Sequence, residues 1–119
     1  FDVTSAPADF IAENGDVVAT FLKVTADANV EWNANHSDEM LAVIAAESGM
    51  DVDAARGAIA TMKFPSVEDQ LSETWLGGNA QVFMKGVADV FVTAGSIDGA
   101  LDSYEGSVNA GPLTAASGM

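Results

Sequence analysis

Apolar residues recur at three- and four-residue spacing through most of this chain, and short polar or Gly/Pro breaks interrupt them at intervals. That rhythm constrains the fold more than any other feature. It gathers the apolar residues of each segment on one helix face, whereas strand side chains alternate with period two. From Asp16 to about Asn33 the stripe is Val17, Val18, Phe21, Val24, Ala28 and Trp32. "NANHS" breaks it. Ser37 is then a natural N-cap, with Asp38 and Glu39 in the first turn of a second helix carrying Met40, Leu41, Ile44 and Ala45 to Gly49. Asp51 caps a third helix, with Val52, Ala55, Ile59 and Met62 on its face, before "FPS" interrupts again. Ser66 and Asp69 resemble a capping box ahead of Val67, Leu71 and Trp75, which predicts a fourth helix ending at Gly77-Gly78. The fifth carries Val82, Phe83, Val87, Val90, Phe91 and Ala94 and closes at Gly95. A short last helix is predicted around Ser96 to Tyr104, and the Gly- and Ser-rich end reads as a fraying tail.

The opening differs. Phe1-Asp2-Val3-Thr4 alternates apolar and polar residues, predicting a strand over residues 1–5, and Asp9-Phe10-Ile11 then makes a helical turn ended by Asn14-Gly15. The fold class read from this pattern is mainly α: one short N-terminal strand plus five or six helices. A lone strand leaves its backbone groups unpaired, so this one requires a sheet that the chain does not supply. That is the first sign of a missing half.

At 119 residues the chain is one domain's worth, and its 49% apolar content suits a packed globule. Eighteen Asp and Glu face only Lys23, Arg56, Lys63 and Lys85, for a net charge of −14. Nucleic acid is excluded as a partner by that balance, because phosphate neutralisation needs clustered cations, and anionic membrane surfaces are disfavoured likewise. The acids are scattered, as on a solvated surface or in a salt-rich habitat. Cysteine is absent, which removes disulfides, thiolate catalysis and Cys-ligated metals. No apolar run approaches the ~20 residues of a bilayer span, so direct membrane insertion is not expected.

The residues give little reason to expect catalysis. His36 is the single histidine, in a polar break between helices. Asp51 with Asp53, Glu68 with Asp69 and Asp98 with Asp102 are carboxylate pairs, but they sit where helices begin, and the helix dipole accounts for them. No calcium loop, phosphate-cradling loop or nucleophile elbow is present. "ETWLGGNA" pairs Trp75 with Gly77-Gly78, which suits either a pocket wall or a core anchor between the fourth and fifth helices. The expectation is a non-enzyme without cofactor or metal.

Taken in order, "FDV", "DFIAEN…VV…FL…VT…AN", "EWNAN", "DEMLAVIAAESGMD", "FPSVEDQLSETWLGG" and "SIDGALDSYEGSVNAGPL" resemble the C-terminal part of taurine-type substrate-binding proteins of ABC importers, kin to sulfonate and nitrate binders. The resemblance spans about residues 1–113, leaving 114–119 as a flexible tail. One departure is Asn14-Gly15 where the family often has Asn-Pro, which alters only a turn. The resemblance implies a two-lobe α/β binding protein of type II, with strand 1–5 as a hinge crossing and the helices packed on an N-terminal lobe outside this chain. It implies periplasmic location after export by a signal peptide not present here. It also implies capture of taurine or a similar sulfonate, and delivery to a membrane permease.

Asp2 matches the cleft carboxylate that meets the ligand's ammonium group, a role that suits a charge-assisted acceptor. Gln70 and Trp75 are weaker candidates for the cleft edge, carried by their place in "EDQLSETWLGG". The alternative is a stand-alone acidic helical module that binds another protein, or a second copy, through an exposed apolar face. A fold-related enzyme, such as one of thiamine pyrimidine synthesis, is disfavoured by the lack of Cys and of a second His.

Overall fold

The computed structural model describes residues 2–119 and is mainly helical. Seven α-helices occur among the described residues: α1 (Ala8–Glu13), α2 (Gly15–Asn35), α3 (Asp38–Ser48), α4 (Val52–Ile59), α5 (Val67–Leu71), α6 (Asn79–Thr93) and α7 (Gly111–Ser117), with a 3-10 turn at Glu105–Ser107. The chain divides into two compact units, one of residues up to 23 together with 67–119, the other of residues 24–66.

The opening strand is not formed. Phe1 lies outside the described residues, and residues 2–7 carry no regular structure and are exposed. The physical reason is the one the sequence raised: extended backbone becomes a strand only by pairing in a ladder, and no strand occurs among the described residues.

The unit of residues 24–66 is built by local signals. Ser37 Oγ accepts from the Met40 N–H at 3.1 Å and starts α3. Gly49 ends it in the left-handed region at φ 68°, which lets the Met50 N–H donate to Ala45 O at 2.9 Å. Asp51 Oδ1 accepts from the Ala54 N–H at 2.8 Å and starts α4 two residues later. So short a connection makes α3 and α4 neighbours, and Leu41 and Ala45 meet Ala55 in a core flanked by Trp32 and Ile59. Leu41 is its one large, fully buried side chain.

In the other unit α5 and α7 pack together. The fourth helix stops at Leu71, before Trp75. Ser72 Oγ donates to Asp69 O at 2.6 Å, and residues 72–78 fold into tight turns in which the Gly77 N–H donates to Ser72 O at 2.9 Å. A Cβ on Gly77 would stand 2.8 Å from that carbonyl, so this turn demands glycine. α6 closes as predicted, at Gly95 with φ 71° and the Ser96 N–H donating to Phe91 O. No helix forms over 96–104, where Gly99 and exposed Ile97 and Leu101 offer neither propensity nor a buried face. The segment read as a tail instead carries α7. Asn109 Oδ1 accepts from the Gly111 N–H at 3.0 Å, Pro112 stands in the first turn, and Leu113 and Ala116 are buried.

Which faces are buried is the main surprise. The buried side chains are chiefly alanines, among them Ala19, Ala26, Ala80 and Ala88. The larger residues of the predicted stripes, including Val17, Phe21, Val24, Val82, Val90 and Phe91, are exposed.

Candidate functional site

In the unit of residues 24–66 a concavity of about 290 Å³ opens between α2 and α4, just under the usual size of a small-molecule pocket. Its apolar part comes from Leu41, Ile59 and Met62, the first of these also the centre of the local core. Trp32 and His36 form an aromatic wall, ring centroids 5.1 Å apart and edge to face at 77°. They meet because they stand four residues apart at the end of α2. His36 N–H donates to Trp32 O at 3.0 Å, and His36 takes φ 44°, closing the helix in the left-handed conformation usually left to Gly or Asn.

Polar groups border this hollow. Asn33 Nδ2 donates to Phe64 O at 2.8 Å, which ties the end of α2 to the chain 31 residues later. Arg56 Nη2 donates to Asp38 Oδ1 at 3.0 Å, but both side chains are more than half exposed, so the pair contributes at most about 1 kcal/mol. An apolar floor with an aromatic wall, a guanidinium and an amide suits reversible binding of a small molecule with a polar end.

The residues nominated from sequence lie in the other unit. Asp2 is exposed on the opening segment, which carries no regular structure. Gln70 is half-buried in α5, and its carbonyl accepts from the Leu76 N–H at 3.0 Å. Trp75 is half-buried in the turn before α6, its N–H donating to Ser72 O at 3.0 Å and its carbonyl accepting from the Ala80 N–H. Gln70 and Trp75 thus share one turn system, and Asp2 is not among the residues bonded into it. The sequence does not announce the hollow near His36; His36 itself stands in the break between helices, exposed and closing α2. Its signal was the Trp32–His36 spacing across the end of a helix. No family model, no curated protein and no solved structure matches this chain.

Proposed function

We propose that this chain is the C-terminal helical portion of a periplasmic solute-binding component of an ABC importer. It takes part in capturing taurine or a related small sulfonate by lobe closure and in delivery to the membrane permease, and it makes or breaks no bond. The observation that carries this reading is the N-terminal arm. Residues 2–7 carry no regular structure and are exposed, and Val3, Phe10 and Val17 along and just after them are exposed apolar side chains. A backbone awaiting a ladder beside an uncovered apolar helix face is what one edge of an α/β layer presents when its sheet is supplied by other polypeptide.

Asp2 stands on that arm, at the position the resemblance gives to the carboxylate facing the ligand's ammonium group. The sulfonate would be held by helix N-termini and side chains of lobes outside these residues. In this reading Gln70 and Trp75 are weaker candidates for the edge of the cleft.

The test is calorimetric titration of taurine into the natural polypeptide carrying this sequence, as wild type and as Asp2→Asn. Removing a buried charged partner costs about 2–5 kcal/mol, or roughly 30- to several-thousand-fold in affinity. Equal affinities would remove Asp2 from the role. The alternative, an acidic helical module that works by binding protein, is favoured by one observation of its own, the outward apolar face of α6.

A further inference from the structure

The hollow between α2 and α4 lies wholly within residues 24–66, apart from the arm that carries Asp2. Its lining sorts into two kinds of surface. Leu41, Ile59 and Met62 give it an apolar floor, and Trp32 adds a flat aromatic wall. Arg56 and Asn33 supply its polar side. A guanidinium has five N–H donors, and the Arg56 bond recorded here uses Nη2 alone, which donates to Asp38 Oδ1 at 3.0 Å. Asn33 turns its Nδ2 to Phe64 O at 2.8 Å, so its side-chain oxygen is the acceptor it offers to a ligand.

A guanidinium beside an apolar floor selects a carboxylate carried on an apolar body, because its planar fork holds both carboxylate oxygens at once. Charge then narrows the class. The chain carries −14 in all, and in residues 24–66 the basic side chains are Arg56 and Lys63. Asp38 itself stands 3.0 Å from the guanidinium. A free monoanion enters that field against repulsion. A zwitterion has no net charge, and it brings a cationic group that the Asp38 carboxylate attracts.

We infer that this hollow is a binding site for a free apolar α-amino acid. Arg56 takes the carboxylate, and Asp38 takes the ammonium with the Asn33 oxygen as a second acceptor. The side chain lies on Leu41, Ile59 and Met62 against Trp32, in a space of about 290 Å³. Taurine has no side chain with which to cover that floor. The site therefore goes beyond the solute-binding reading, which rests on the N-terminal arm.

Titrating L-phenylalanine into the full chain carrying Trp75→Phe tests it, since Trp32 is then the single tryptophan and its emission reports the hollow. A ligand of this size in an open site should half-saturate at about 1 mM. Two analogues divide the recognition: 3-phenylpropionate lacks the ammonium, and phenylalaninamide lacks the carboxylate. At about 0.15 M salt each should bind at least threefold more weakly than the amino acid. Arg56→Gln should weaken binding at least tenfold. Lys63→Gln makes the same change in net charge outside the lining and should match the parent. Both side chains are exposed, so neither change should unfold the chain, and circular dichroism checks that helicity is kept. No saturable change in Trp32 emission up to about 20 mM would overturn the inference. So would equal weakening by Arg56→Gln and Lys63→Gln, or 3-phenylpropionate binding as tightly as phenylalanine. None of these results bears on taurine binding, which is read separately.

Discussion

Leu41→Ala should unfold most of what holds residues 24–66 together. Leu41 is 1% accessible and is the one large side chain fully buried among the described residues, walled by Ala45 and Ala55 with Trp32 and Ile59 alongside. Removing three carbons from a buried leucine costs about 2–5 kcal/mol, the value depending on how well the site collapses. Here collapse is poor. Alanines have no χ1 freedom with which to reach into the void, and Trp32 is held edge-on against His36. The loss should fall in the upper half of the range, about 3–5 kcal/mol, corresponding to more than about 12 °C in a unit this small.

Each unit contains one tryptophan, which makes the assay selective. In a Trp75→Phe background, Trp32 fluorescence during urea or thermal unfolding reports residues 24–66 alone. Leu41→Met conserves volume and should cost under about 1.5 kcal/mol. A loss below about 1 kcal/mol for Leu41→Ala, or equal damage from Leu41→Met, would refute the argument that this core depends on one side chain.

Three further outcomes follow from particular contacts. Gly77→Ala places a Cβ 2.8 Å from the Ser72 carbonyl carbon and oxygen and should destabilise the other unit by about 1–3 kcal/mol, read from Trp75 emission. His36→Gly relieves a left-handed backbone conformation worth about 1–2 kcal/mol but forfeits a ring contact of about 0.5–1.5 kcal/mol, so its melting midpoint should stay near wild type. His36→Ala keeps the backbone cost and loses the ring, and it should melt below both; the reverse order would sink this account of the α2 terminus. Ser37→Ala removes the cap on Met40 N–H and should cost about 1 kcal/mol by urea unfolding, with no loss showing that the cap is idle.

Helix ends were the most legible part of the sequence, because they are decided within a few residues. Ser37, Asp51, Gly49 and Gly95 each stand where the pattern put them. α7 was hidden because Gly- and Ser-rich composition outweighed the Asn109–Gly111–Pro112 start signal. The end of α5 was hidden because the helical spacing of Leu71 and Trp75 continues past a point where Ser72 has turned the chain. Periodicity located the apolar stripes of α2 and α6 but did not say what lies against them. Their large residues face outward while Ala19, Ala26, Ala80 and Ala88 face in, since a stripe states only that burial is favourable and not which polypeptide provides it. The hollow at His36 needed three dimensions: Arg56 and Ile59 reach it only because Gly49–Asp51 folds α4 back on α3.

The central claim is that this sequence serves solute capture, and the most direct measurement is titration of taurine into the wild-type natural polypeptide followed by heat release. Saturable binding of one taurine per chain is the predicted result. Heats no larger than dilution at every concentration would contradict the claim.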